Sequence, residues 1–217
     1  MTLEEYKKQF SEDDAIGWLC IDEKVDALYP NQKPQHFATL VKYMLGGKDP
    51  LDGLSVYESK QQTDHFHIVS YGLSELYYNE KSCGGEFSKF GFEFTIRIKK
   101  GGDNNVNWAM NLMQNLARYV FTSGKWFEEF HVIPANGPIR LEYDTDLTAL
   151  AFVLDPELGK MQTPHGEVQF LQIVGITTQE YEAIKQAQGG VLANTQALME
   201  KLQITNPLLI IDLDRKS

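Results

Sequence analysis

The clearest pattern in the chain is the alternation at residues 90–99. Phe90, Phe92, Phe94, Ile96 and Ile98 take turns with Gly91, Glu93, Thr95, Arg97 and Lys99. A period of two over that length marks a β-strand with one buried face and one wet or covered face. After the turn at 101–105 the period becomes helical. Trp108, Leu112, Met113, Leu116, Tyr119 and Val120 share one side of 106–122, and Gly124 supplies a stop. The run Val168-Gln-Phe-Leu-Gln-Ile-Val174 is apolar on both faces, which places it centrally in a sheet. Further strands are expected at 36–44, 65–71, 128–133, 148–154 and 207–213. Residues 3–28 read as helical, with Ser11-Glu-Asp-Asp14 as a helix start and Tyr29-Pro30-Asn31 as the end. Thr177-Thr-Gln-Glu180 has the form of a capping box, opening a helix to about Gln188. Gly189-Gly190 separates it from another helix at 191–202. No repeat or linker-like tract interrupts the chain. The elements add up to one α+β domain over 1–217: a mixed, largely antiparallel β-sheet flanked by α-helices.

Composition narrows the function. At 217 residues, 42% of them hydrophobic, the chain can bury a substantial core. A net charge of −10 disfavours non-specific nucleic-acid binding and adhesion to an anionic membrane, and is compatible with a basic protein partner. The oligomeric state stays open. Cys20 and Cys83 lie far apart, and nothing requires a disulfide. The N-terminus carries no apolar leader and no run is long enough to span a bilayer, so the cytoplasm is the expected location.

Few motifs carry chemistry. His65 and His67 fall on the same face of a strand, close enough to share a metal, with Asp64, His36, His131 or His165 as a third ligand. A metal-binding protein or hydrolase using His65 and His67 is therefore the alternative reading. The blander one is half-buried histidines hydrogen-bonded at a strand end. Ser70-Tyr-Gly-Leu-Ser74 is not a nucleophile elbow, and the paired glycines match no phosphate or dinucleotide loop, so no cofactor is expected. Asp144, Asp146, Asp155 and Glu157 could pair for acid–base work, but 144–148 reads better as a turn. Asp212 and Asp214 alternate along the last expected strand, facing solvent or a basic partner. Thr163-Pro-His-Gly-Glu167 is a tight turn with His165 at its tip. Most aromatics belong to core patterns. Tyr71, Tyr77 and Tyr78 differ, because they follow a strand beside Gly72 and Asn79, where binding surfaces commonly form.

The segments Gly17-Trp-Leu-Cys-Ile-Asp22, Leu45-Gly-Gly-Lys-Asp-Pro-Leu-Asp-Gly53, His65-Phe-His-Ile-Val-Ser-Tyr-Gly-Leu-Ser-Glu-Leu-Tyr77, Phe90-Gly-Phe-Glu-Phe-Thr-Ile-Arg97, Leu112-Met-Gln-Asn-Leu-Ala-Arg-Tyr-Val-Phe121 and Thr163-Pro-His-Gly-Glu-Val-Gln-Phe-Leu-Gln-Ile-Val-Gly175 occur in this order. Together they resemble the Suppressor-of-fused (SUFU) domain family along almost the whole chain. The resemblance implies a non-enzymatic regulator. Animal members clamp a short peptide of a transcription factor between two domains, by strand addition to a sheet. Only the N-terminal domain is matched here, so that two-domain grip does not carry over. Single-domain versions resemble bacterial members proposed as immunity proteins against polymorphic toxins. The expectation is a protein-binding regulator that sequesters or neutralises a toxin or regulatory partner. Its contact residues would be Tyr71, Tyr77, Tyr78 and Asn79, with His65, His67 and His165 as secondary candidates.

Overall fold

A computed structural model describes residues 1–216, without the side chain of Met44; Ser217, the last residue of the expected domain, lies outside the described residues. Its strands are β1 (Gln35–Ala38), β2 (Gly53–Ser59), β3 (His65–Tyr71), β4 (Phe87–Lys99), β5 (Val132–Pro134), β6 (Leu147–Leu154), β7 (Lys160–Thr163) and β8 (Gly166–Thr177). They form one sheet in the order β1-β2-β3-β4-β8-β6-β5, with β7 paired beside β8. β4 and β8 run parallel, and the other strand pairs are antiparallel. The helices are α1 (Leu3–Gln9), α2 (Ile16–Leu28), α3 (Asn107–Ser123), α4 (Thr178–Gln186) and α5 (Val191–Gln203). The expected α+β class and the central place of β8 both hold.

Alternation sorts the strand residues onto two covered faces. On one, Leu54, Val56, Ile68, Phe94, Ile96 and Ile173 pack under the apolar side of α3 through Met110, Met113, Leu116 and Val120. On the other, the cover is divided. Ile21 and Val25 of α2 pack on Tyr57, Val69, Tyr71 and Phe170. Ile184 of α4 and Met199 of α5 pack on Ala149, Ala151, Val174 and Ile176. Between these two clusters the second face is polar: His67, Thr95, Arg97 and Gln172 are all fully buried there. No described helix is long and apolar enough to cross a membrane.

Several local expectations are corrected. The helical stretch 3–28 breaks at Phe10, which is extended. Asp14 does not cap α2; its carboxylate accepts from the amide and hydroxyl of Ser11, closing a separate turn. The free amides at the start of α2 instead meet a carbonyl, since Gly17 and Trp18 both donate to Leu76 O. The strand at 36–44 ends at Ala38, and the chain turns through a short 3-10 segment, Tyr43–Leu45. The segment 207–213 is not a strand. It makes a single bridge, Ile211 to Ile98, and is held further by side chains that include Asn206, Gln62 and Gln172, whose amide donates to Leu208 O at 2.8 Å and Leu209 O at 3.2 Å. The capping box at Thr177 and Glu180 is present, and Gly124 caps α3 at φ +68°.

Candidate functional site

The segment after β3 is fixed from beneath by β4. At Gly72 the backbone takes φ +138°, and an added Cβ would meet Asp52 N at 3.0 Å, so only glycine fits without strain. The buried Glu93 carboxylate accepts from Gly72 N, Ser74 N, and the hydroxyls of Ser70 and Ser74, at 2.6–2.9 Å. Burial pushes that carboxyl up, and the hydroxyls and amides that face it pull it back. Ser70 is thereby spent as a buried donor and presents no nucleophile. Tyr71 is buried as well, with its ring stacked 4.5 Å from Trp18 and its hydroxyl donating to Asp22 at 2.9 Å. The sequence reading grouped it with the contact residues, but here it is a post on which α2 rests.

Tyr77, Tyr78 and Asn79 reach the surface and are each half-buried. The Tyr77 hydroxyl donates to Asp52 at 2.6 Å and accepts from Lys42, whose ammonium also lies 4.1 Å from the ring centroid. Tyr78 packs its ring 5.0 Å from that of Tyr6 and donates to Glu80. Asn79 N–H donates to the Tyr6 hydroxyl at 2.9 Å, and its side-chain amide donates to Glu75 at 2.8 Å. The Tyr6 hydroxyl is bonded in turn to His165 Nε2 at 2.7 Å, while His165 Nδ1 faces Glu75 O at 3.1 Å. A carbonyl can only accept, so Nδ1 carries the proton and Nε2 receives the bond from Tyr6. His165 is thus fully buried and not displayed at a turn tip: it locks the 75–79 loop to α1. Burial pushes its pKa down, which keeps it neutral for this task.

His65 and His67 belong to the polar seam beneath, and both are fully buried, more so than half-buried strand-end residues. His67 Nε2 lies 3.1 Å from Asp155 Oδ2, and its Nδ1 lies 2.8 Å from the Tyr29 hydroxyl. Asp155 also accepts from Thr95 and from both terminal nitrogens of Arg97. Arg97 donates further to Glu157 at 2.8 Å and Gln172 at 3.2 Å. Burial, then the neighbouring guanidinium, push His67 down to about 4. Burial works to raise Asp155, but His67, Arg97 and the Leu158 amide overcome it and hold the carboxyl below the usual range. A neutral His67 therefore donates from Nε2 and accepts from Tyr29.

This arrangement does not support the metal or hydrolase reading. Both ring nitrogens of His67 are occupied, and His65 Nδ1 is turned to Thr63 O at 2.8 Å. His36 bonds Ser55, and His131 bonds Glu128. Among the described residues no three His, Cys, Asp or Glu side chains converge as a metal set. Asp155 and Glu157 are both bound to the buried Arg97. Asp146 pairs with Lys216, Asp212 with Lys99, and Asp214 accepts from Tyr143.

A groove that the sequence reading missed lies beside this loop. Between Phe87 and Phe92 the register of β4 against β8 slips, with Lys89 and Gly91 at φ +54° and +81°. That bulge is tied to the loop by Lys89 Nζ donating to Gly72 O and Phe90 N donating to Leu73 O. It opens a groove of about 790 Å³ lined by Phe87, Phe90, Trp126, Phe127, Phe130 and Leu171. Phe87 and Trp126 are more than half exposed. Gly91 inside an otherwise regular strand was the available signal, since glycine there commonly marks a bulge.

Comparison with known proteins gives one answer at three levels. The family model described as Suppressor of fused protein (SUFU) matches residues 47–216. The human and mouse Suppressor of fused homologs are each 36% identical over 206 residues, covering 87% of this chain and 41% of the relative. The chain thus spans less than half the length of these relatives. Among solved structures, the Sufu-Fu complex is similar with a TM-score of 0.82 and 30% identity, covering 94% of this chain and 93% of that one. Drosophila Suppressor of Fused matches with a TM-score of 0.81 and 30% identity, over 95% of this chain and 52% of that one. A protein described as a SUFU homolog from Neisseria gonorrhoeae FA 1090 shares the fold, at a TM-score of 0.62 and 13% identity over 93% and 96% of the two chains.

Proposed function

This chain belongs to the Suppressor of fused family, and we propose that it is a non-enzymatic, cytoplasmic protein-binding regulator that holds a partner on the surface formed by Tyr77, Tyr78, Asn79 and the adjoining groove. The carrying observation is the groove itself: exposed Phe87 and Trp126 beside a loop held from below by Glu93, Tyr6 and His165. Aromatic side chains on a rigid frame bind with little loss of conformational freedom, which is how interface anchors work. Of the buried candidates, His165 positions the loop, Tyr71 supports α2, and His65 and His67 belong to the seam beneath. Catalysis is disfavoured because Ser70, His67 and Asp155 are buried and saturated by protein partners. A relative is, by its name, in complex with a protein, Fu.

The finer reading is that the partner is a toxin that this domain neutralises, an acidic chain meeting a basic target. The test is capture from the source cell with the tagged chain, followed by cross-linking and mass spectrometry. A protein cross-linked at 77–90 and at 126–130 supports the proposal. Capture that is unchanged in a double variant, Phe87→Ser with Trp126→Ser, counts against it. Co-expression with the captured protein then separates rescue of growth from mere binding.

A further inference from the structure

One wall of the groove is built from a backbone conformation that its residue does not favour. Lys89 takes φ +54°, in the left-handed region that glycine enters freely and a residue with a side chain seldom does. Such an outlier beside a binding surface calls for an interaction that glycine could not make. The Lys89 side chain makes one. Its stem lines the groove, but its ammonium turns away, donating to Gly72 O at 2.6 Å and lying 4.6 Å from the Phe121 ring centroid. Burial lowers its pKa, and Glu93, Glu75 and Asp52 oppose that shift.

The two ends of this tie differ in how firmly they are fixed. Gly72 belongs to a loop that Glu93 holds without any help from Lys89, through Gly72 N and Ser74 N. The bulge has no comparable support in the sheet. β4 pairs with β8 at Phe87 and then not again until Phe92. Across that gap the bulge is held to the loop instead. Glu75 N donates to Ser88 Oγ at 2.9 Å, Lys89 donates to Gly72 O, and Phe90 N donates to Leu73 O at 3.1 Å. Of these three, only the Lys89 bond is assisted by a charge, which makes it the strong one. The aromatic wall follows the bulge. A Cβ added to Gly91 would lie 3.3 Å from Phe87 Cβ, so the Phe87 side chain sits against the turn, and the Phe90 ring packs 5.1 Å from that of Phe121.

We propose that Lys89 is a positioning residue for the groove: it hangs the β4 bulge from the fixed loop, so that Phe87 and Phe90 stand as a preset wall for an apolar side chain of the partner. This rests on the groove being the surface that holds the partner. A wall already in place when the partner arrives loses little conformational freedom on binding.

The test compares the full chain with Lys89→Met, Lys89→Gly and Lys89→Arg variants, at a temperature where all four are folded. Hydrogen exchange on the free proteins reads the tie without any partner. In Lys89→Met the Phe90 amide should exchange at least about tenfold faster, while the Ser74 amide, bound by Glu93, keeps its rate. Lys89→Gly relaxes the backbone but loses the tie, and should behave like Lys89→Met. Lys89→Arg still carries a donor and should keep both rates. Affinity for the captured partner should fall about tenfold in the Met and Gly variants and return in the Arg variant. An unchanged Phe90 rate in Lys89→Met, or wild-type affinity in Lys89→Gly, overturns the proposal. Faster exchange with unchanged affinity, for a partner cross-linked at 77–90 and 126–130, makes the tie a local brace and overturns it as well. A partner cross-linked elsewhere on the sheet overturns the groove reading and this proposal with it; the exchange rates then show whether the tie itself was real.

Discussion

His67 donates through Nε2 to Asp155, 3.1 Å away, in a seam where both side chains are fully buried between two apolar clusters. The pair sets how stability responds to acid. Unfolded His67 takes up its proton near 6.5, whereas the folded one resists to about 4, because burial and Arg97 oppose the charge. The folded state then binds fewer protons between those values, so stability falls as pH falls from 6.5 to 4, by about 3 kcal/mol in full. Buried His65 and His165 are shifted the same way and add to the loss, and the lowered Asp155 extends it below 3.8. Urea unfolding across this window should show the slope. A His67→Gln variant should flatten most of it.

Asp155 is also the main counter-charge of buried Arg97. Removing one partner of such a pair leaves an uncompensated charge in the interior. Asp155→Ala is expected to cost about 3–5 kcal/mol. Glu157, which is partly exposed, cannot replace it. Chemical denaturation at neutral pH measures this, and a loss under about 1 kcal/mol would mean that water reaches the seam.

Tyr6 controls the loop without lying on the proposed surface. Its hydroxyl receives Asn79 N–H and donates to His165. Tyr6→Phe leaves both groups without that partner and should cost about 1–3 kcal/mol. Hydrogen exchange reads the local part of the effect: the Asn79 amide should lose protection while amides of β4 keep theirs.

Gly17 sits at the start of α2 against the same loop. A Cβ there would lie 2.0 Å from Glu75 O, and backbone cannot yield as a side-chain tip can. Gly17→Ala should therefore push α2 from the loop, costing about 1–3 kcal/mol by overpacking. Thermal melting tests this against Gly101→Ala, where nothing lies within 4 Å and little change is expected.

The sequence was readable where local pattern and final environment agree. β3 at His65–Tyr71, α3, and the α4 capping box stand where periodicity and capping put them. β2 was missed because Gly53, Leu54, Ser55, Val56 and Tyr57 are buried on both faces, so no alternation shows. Leu208–Ile211 looked like a strand for its β-branched, apolar residues, but Gln172 takes two of its carbonyls and leaves only one bridge. The candidate site was legible as a segment but not in its division of labour. Which of Tyr71, Tyr77, His165 and Tyr78 would face outward depends on Glu93, Tyr6 and Asp22, residues up to 159 positions away in the chain. Phe87 and Trp126 were not singled out, because the β4 bulge beside their groove is a feature of pairing between distant strands.

The central claim is that partners are held at the surface of Tyr77, Tyr78, Asn79 and the groove beside them. It is tested most directly by the affinity of the captured partner for wild type and for Trp126→Ala, a variant of an exposed side chain. The account predicts at least about a tenfold weaker complex with an unchanged melting temperature. Equal affinity of the two proteins, with the partner cross-linked elsewhere on the sheet, would contradict it.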